Sequence, residues 1–305
     1  MDHPMANRCT PKLEEPMDRR NFVKTLSGMG VAALGAERAE AEDKSEKKEF
    51  VGVLVDTTRC VGCRSCELAC AEAHGFPEPD SSPEVFAKER APSTVQWSVV
   101  NRFQTERGEM FAKRQCMHCN QPACASACLT KAMLKTEEGP VIWREDKCMG
   151  CRFCMLSCPF DVPKFEYDSP MPKIQKCNLC WDRLEEGKRP ACVEACPAEA
   201  IKFGKRRELI ETGRALIAKE PTKYVHDIYG ESEAGGTSYM YLASVPFGQL
   251  GFRTDLETIP YPELSKDYLY AVPVVLTLWP AFLLALSNAT KKESDQENHG
   301  TPDGQ

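Results

Sequence analysis

The chemistry of this chain begins with cysteine. Seventeen occur in 305 residues, and sixteen of them fall in four groups of four between Cys60 and Cys196, leaving only Cys9 outside. The first group is Cys60, Cys63, Cys66 and Cys70, and the third, with the same spacing, is Cys148, Cys151, Cys154 and Cys158. The second, Cys116, Cys119, Cys124 and Cys128, opens the middle gap by two residues. The fourth, Cys177, Cys180, Cys192 and Cys196, carries an eleven-residue insert between its pairs. Each varies C-x2-C-x2-C-x3-C-P, the run that holds iron–sulfur cubanes. Two intervening residues let a turn wrap one corner of a cubane with its N–H groups pointing inward. Three thiolates within seven residues reach three irons, and the fourth, one turn into a short helix, reaches a neighbouring cluster. The groups are therefore expected to work in pairs.

Two other uses of cysteine are disfavoured by the same spacing. Structural zinc takes four ligands, usually from two separated C-x2-C knuckles, and leaves a third closely spaced thiol without a role. Disulfides suit an exported chain, but C-x2-C pairs form reactive bridges rather than structural ones, and eight bridges need no repeated spacing. The rest of the composition excludes further classes. With 42% hydrophobic and 28% charged residues the body is globular, and a net charge of −6 leaves no basic excess for nucleic acid. No Walker loop, Rossmann glycine fingerprint, nucleophile–base pair or C-x2-C-H haem site occurs, so no active site of its own is expected.

Elements that must position these groups are visible as short apolar runs. Residues 50–55 (FVGVLV) precede the first group and Val141-Ile142-Trp143 the third, while Ala200-Ile201-Lys202-Phe203-Gly204 follows the fourth. Strand, cysteine loop, short helix, strand is a ferredoxin repeat, here doubled. The expected fold is α+β: two ferredoxin-like modules, each with two 4Fe-4S clusters, with inserted loops and one C-terminal transmembrane helix. Residues 71–96, with four prolines, read as an inserted loop. Glu208 to Lys219 reads as an amphipathic helix with Leu209, Ile210, Leu216 and Ile217 on one face. Residues 220–262 carry no cysteine and are expected to pack on the body or a partner.

The two ends address the chain to a membrane. Arg19-Arg20 precede a weakly apolar stretch and Ala39-Glu40-Ala41, a small-x-small cleavage site, the order of a twin-arginine export signal. Asp18 stands where Ser or Thr is usual, and a start at Met17 would give a more compact signal. Removing 1–41 takes six basic and six acidic residues and leaves the charge at −6; bound clusters would make the body more acidic. A folded cluster protein fits that route, because cubanes are built in the cytoplasm. At the other end, residues 268–286 (YLYAVPVVLTLWPAFLLAL) are uncharged and reach roughly 28 Å as a helix, close to a bilayer core. Tyr268 and Tyr270 suit one interface, and Lys291-Lys292 beyond the other put the tail in the cytoplasm. The division is therefore 1–41 signal, 42–205 cluster body, 206–267 extension, 268–286 membrane helix and 287–305 cytoplasmic tail, with the body in the periplasm at the inner membrane.

From Arg19 onward the chain resembles the four-cluster ferredoxin-type β subunits of bacterial respiratory complexes, above all the hydrogenase-2 ferredoxin-like subunit and next the formate dehydrogenase β subunit. The motifs that carry the likeness are CVGCRSCELAC, QCMHCNQPAC, CMGCRFCMLSCPFDVPKFEY, KCNLCWDR, ACVEACPAEAIKFG and YGESEAGGT. The resemblance implies four 4Fe-4S clusters. It assigns the first to Cys60, Cys63, Cys66 and Cys196, and the second to Cys116, Cys119, Cys124 and Cys158. A third takes Cys128, Cys148, Cys151 and Cys154, and the fourth Cys70, Cys177, Cys180 and Cys192. Leu129, where Pro often follows the fourth Cys, is a departure that touches loop rigidity rather than ligation. The implied function is electron transfer between a catalytic subunit (nickel–iron hydrogenase or molybdopterin formate dehydrogenase) and an integral-membrane quinone-reactive subunit. The competing reading is a stand-alone, membrane-anchored polyferredoxin carrier.

A few other residues invite a role. His118, between Cys116 and Cys119, is placed to donate to a cluster, although an ordinary packed histidine is the default. Arg152, Phe153, Lys164 and Phe165 surround the third group, with core packing or a solvated charge as the plain reading. His74, His226 and His299 are isolated and receive no role.

Overall fold

A computed structural model describes residues 49–298, with side chains to residue 288. The expected signal segment 1–41, Cys9, His299 and the end of the tail lie outside the described residues.

Val51–Asp56 (β1) is the centre of a three-stranded sheet ordered β8-β1-β9, with β8 at Ile201–Lys205 and β9 at Tyr239–Leu242. β1 runs antiparallel to β8 and parallel to β9. A central strand buried on both faces must be apolar at successive positions, and β1 reads VGVLVD with a nearly continuous buried pattern. Its alternation separates two layers. Val53 and Val55 join Tyr239 and Tyr241 of β9 in a core that includes Cys66 and Cys192. Leu54 joins Met240 and Leu242 on the other face, under Leu209 and Ile210 of the helix Arg206–Lys219. That helix starts two residues before the expected Glu208, and Leu216 and Ile217 pack partly buried on the same layer. Burying a side chain such as Leu54 is worth about 1.5–3 kcal/mol, so the sheet is held from both sides.

The remaining strands form two-stranded ribbons. Val99–Thr105 (β2) and Gly108–Arg114 (β3) make a hairpin that no apolar run in the sequence marks. Met133–Lys135 (β4) pairs with Val141–Trp143 (β5), and Lys164–Phe165 (β6) with Ile174–Gln175 (β7). These pairings fold the chain back on itself in a nested order. β1 before the first cysteine group meets β8 after the fourth, and β4 after the second meets β5 before the third. Helices are numbered in chain order: Ser65–His74 (α1), Ala123–Ser126 (α2), Phe153–Leu156 (α3), Trp181–Glu185 (α4), Ala191–Glu194 (α5), Arg206–Lys219 (α6) and Tyr261–Asn298 (α7).

Residues 220–262 contribute β9, whose four side chains are fully buried, and the segment Tyr229 to Thr237 that leads into it. Gly230 has φ +94, and a Cβ there would lie 2.4 Å from the Tyr239 carbonyl. Gly236 (φ +85) is equally confined, between Asn120 and Arg206. Arg206 fastens the loop by donating to the carbonyls of Thr237 (2.8 Å) and Glu231 (2.8 Å). The loop in turn grips the second cysteine group: Asn120 N–H donates to the Gly236 carbonyl (2.9 Å), and the Ser238 and Tyr239 N–H groups to that of Met117 (3.1 Å each).

α7 is continuous through Pro273 and Pro280 and extends past both ends of the expected 268–286. Its stretch Tyr261–Asn288 has mean hydropathy 2.1 and is not buried against the body, so it is long and apolar enough to cross a membrane. Thr277, its polar interruption, returns its hydroxyl to the carbonyls of Pro273 (2.9 Å) and Val274 (3.0 Å). That local bond satisfies the group without water.

Candidate metal centres

The cysteine loops share a backbone device. Arg64 and Arg152, each just after the second Cys of its group, have φ 62, and Gly62 and Gly150, just before it, have φ 68 and 72. The second group turns at His118 (φ 49) and the fourth at Leu179 and Cys180 (φ 59 and 51). A second left-handed residue recurs three positions after the last Cys of three groups: Lys131 (φ 56), Asp161 (φ 49) and Glu199 (φ 48). Each closes a turn by donating its N–H to the carbonyl of that Cys, at 3.1 to 3.2 Å. Bulky residues leave the right-handed regions at a cost. Alternating right- and left-handed residues turn successive N–H groups to one side, making the anion-binding nest of iron–sulfur sites. Three one-turn helices, α2, α3 and α5, carry the third Cys of their groups, and the fourth Cys follows the helix cap. The first group differs: α1 is ten residues long and holds both Cys66 and Cys70.

All sixteen clustered cysteines are free thiols, with no disulfide among the described residues. Their mutual influence shows which are neighbours. Burial pushes Cys60 up, and Cys196 and Cys63 add to it. Burial likewise raises Cys119, reinforced by Cys116, Cys158 and Cys124. Cys154 is pushed to about 11 by burial, then by Cys128, Cys148 and Cys151. Cys70 is pushed to about 12 by burial; Lys113 opposes the shift, while Cys192 and Cys180 add to it. Three shared cores link these neighbourhoods: Cys66 packs in one with Cys192, Cys177 in one with Cys116, and Cys124 in one with Cys154. Cys128, Cys148, Cys151 and Cys154 also line one small pocket, with Met133, Trp143 and Ile174.

This arrangement fits cubanes. Among the described residues no three His, Cys, Asp or Glu side chains converge tightly enough for a single ion, whereas a cubane needs one thiolate per iron at separate corners. Thiols raised by burial ionise only against a strong cation, which a bound iron site supplies. Two thiols are accessible: Cys63 and Cys151 are exposed, and no other of the sixteen is.

Around the thiols sit groups that sequence reasoning missed. Glu67 is fully buried behind Cys66. Its carboxylate accepts from Arg64 Nη2 (2.7 Å), Arg90 Nη2 (2.7 Å), Gln96 Nε2 (2.8 Å) and the Val100 N–H (2.5 Å), tying the 75–98 loop and β2 to α1. Lys113 and Lys176 are buried without reaching solvent. His74 lies 3.6 Å from Cys180 Sγ and against the Trp97 ring. No local signal marks these residues, because many of their partners are remote in sequence: Arg90 and Val100 for Glu67, Val141 for Lys176 and Cys180 for His74.

The residues singled out in the sequence separate. His118 is fully buried; its Nδ1 accepts the Val141 N–H (2.9 Å), so Nε2 carries the proton, and no protein group accepts from it among the described residues. Burial holds its pKa well below the usual histidine range, and Lys176, Lys135 and Lys113 reinforce this. Arg152 lies over the Phe165 and Tyr167 rings (5.3 and 5.6 Å), Lys164 pairs with Asp161 (2.8 Å), and Phe153 is half exposed. His226 is exposed and contacts the Pro221 carbonyl.

Residues 108–206, which include the second, third and fourth groups, match the 4Fe-4S dicluster domain family. A protein of Nitratidesulfovibrio vulgaris (strain Hildenborough) is 43% identical over 288 residues, spanning 91% of this chain and 78% of that one. The hydrogenase-2 operon protein HybA of Escherichia coli O157:H7 is 34% identical over 325 residues, 93% of this chain and 98% of its own. The iron-sulfur subunit of the nitrate-inducible formate dehydrogenase of Escherichia coli (strain K12) is 33% identical over 203 residues, 64% of this chain and 68% of its own.

Proposed function

The chain belongs to the family of ferredoxin-type iron–sulfur subunits that includes the hydrogenase-2 operon protein HybA, and on that premise we propose that it is a four-cluster electron conduit between a catalytic subunit and the membrane. The sets proposed to hold 4Fe-4S clusters are Cys60, Cys63, Cys66 and Cys196; Cys70, Cys177, Cys180 and Cys192; Cys116, Cys119, Cys124 and Cys158; and Cys128, Cys148, Cys151 and Cys154. When bound, such groups supply one-electron sites at potentials set by hydrogen bonds, charge and exposure. The observation that carries the reading is how the sets share packed cores. Cys66 lies in one core with Cys192, Cys177 in another with Cys116, and Cys124 in a third with Cys154, which orders the sets in single file with an exposed thiol, Cys63 or Cys151, in each end set.

A conduit needs such ends. Val61 beside Cys63, and Met149 and Phe153 around Cys151, are exposed apolar residues that a partner would cover. The second group's α2 touches α7, and Cys158, Tyr261 and Leu269 line one cleft. The Cys151 end is therefore assigned to the membrane subunit, and the Cys63 end to the catalytic subunit, of hydrogenase or formate dehydrogenase type. The body is proposed to lie in the periplasm, exported folded through the Arg19-Arg20 signal and anchored by α7.

The test is anaerobic isolation of the full chain in detergent. Roughly sixteen iron and sixteen acid-labile sulfide per chain are expected, with EPR signals of interacting reduced clusters and co-purification with a catalytic chain. Zinc in place of iron overturns the cluster assignment. Full iron with free shuttling between soluble partners, and no catalytic chain attached, overturns the subunit role in favour of a stand-alone carrier.

A further inference from the structure

Two lysines are buried where the conduit would run, and neither has a carboxylate beside it. Lys113 on β3 and Lys176 after β7 are each 3% exposed. Lys113 donates to Gln115 Oε1 (2.9 Å) and Lys176 to the carbonyls of Val141 and Cys177. Among the described residues neither forms an ion pair with Asp or Glu. A buried ammonium with only neutral partners is strongly unfavourable, so a lysine that is charged at either place calls for a counter-charge.

Among the described residues the acidic groups that face Lys113 are thiols and phenols, and those that face Lys176 are thiols. Lys113 sits 5.2 Å from the centroid of the Tyr239 ring, whose hydroxyl lies 3.4 Å from Cys192 Sγ. The Tyr241 hydroxyl closes the other side by donating to the Lys113 carbonyl (3.0 Å). The charge of Lys113 acts on Cys66, Cys70 and Cys177, which fall in the first and fourth proposed sets. The charge of Lys176 acts on Cys124 and Cys158 in the second group's set. The remaining set shares its pocket with Arg152, which lies over Phe165 and Tyr167.

We propose that Lys113 and Lys176 are positioning residues for electron transfer: fixed buried cations that favour the reduced state of the three cluster sites they face and do not act on the Cys128, Cys148, Cys151 and Cys154 site. The inference rests on the cluster reading above. Reduction adds one electron and one negative charge to a site, with no bond made or broken; the electron comes from the catalytic partner, or from dithionite in the test. A stationary positive charge in a low-dielectric interior stabilises that added charge, and needs no rearrangement to do so.

The experiment is a mediated redox titration, followed by EPR, of the anaerobically isolated full chain and of Lys113→Met and Lys176→Met. Methionine keeps the length of the side chain and removes the charge. For Lys113→Met two of the four signals are expected to fall by about 59 mV, a tenfold change in the reduction equilibrium. For Lys176→Met a different signal falls, and Lys113→Arg stays near wild type. Unchanged potentials in both Met variants, or an equal shift of all four signals, overturn the proposal. If Lys113→Met loads too little iron, thiol labelling decides: unligated Cys66, Cys70, Cys177 and Cys192 support the charge role, and even labelling of all sixteen overturns it. A wild-type chain without iron overturns the cluster reading itself, an outcome separate from a loaded chain whose potentials do not move.

Discussion

Removing the Glu67 carboxylate should unfasten the 75–98 loop from the cluster body. Glu67 is fully buried, while its partners Arg64 and Arg90 keep 11% and 20% of their side-chain exposure. Breaking a buried ion pair by deleting one member costs about 3–5 kcal/mol. The two guanidiniums retain some hydration, and Asn101 still holds the Arg90 backbone through paired bonds of 2.9 and 2.8 Å, so the loss for Glu67→Ala is placed near the lower figure. About 3 kcal/mol raises the population of the open loop on the order of a hundredfold. The assay is limited proteolysis at residues 76–96 under native conditions, with protease dilute enough for cleavage to follow the open population. Glu67→Gln keeps one acceptor for the Val100 N–H and should fall between wild type and Ala. A Glu67→Ala chain cleaved within threefold of the wild-type rate, with its iron intact, would refute the assignment of the loop's anchorage to this carboxylate.

Four further outcomes follow from the geometry. Cys128→Ser and Cys151→Ser should abolish the same EPR signal and about four of the sixteen iron atoms, and Cys119→Ser a different signal; loss of unrelated signals by the first two would break the proposed pairing. Gly230→Ala should destabilise the body by about 1–3 kcal/mol through left-handed strain, and by more through its clash with the Tyr239 carbonyl, read as a fall in denaturation midpoint. Removing iron with a strong chelator under reducing conditions should collapse the near-UV circular dichroism of the body, since buried thiols and the Lys113 and Lys176 charges then lose their partners. A stop before Tyr261 should release an iron-loaded body from carbonate-washed membranes, whereas persistent membrane attachment would deny α7 the role of anchor.

The ligand chemistry was legible in the amino-acid sequence because it is local. A cubane corner is wrapped within a few residues, so cysteine spacing alone names the donor type, and the apolar runs at 50–55, 141–143 and 200–204 fall on strands β1, β5 and β8. The apolar C-terminal stretch was legible for the same reason, since membrane span is a matter of length and composition. Only tertiary structure decided what surrounds the thiols. Lys113 and His74 carry no motif; they matter because folding places them near Cys192 and beside Cys180, far away along the chain, and Glu67, next to Cys66, matters because folding brings Arg90, Gln96 and Val100 to its carboxylate. The hairpin of β2 and β3 escaped notice because its polar alternation resembles a surface segment, and β9 because four residues in a stretch rich in Gly, Tyr and Pro give no period. What makes Tyr239 and Tyr241 core residues is the face of β1 they complete. Spacing can choose the metal, but the charge and burial that tune it come from contacts no window of sequence contains.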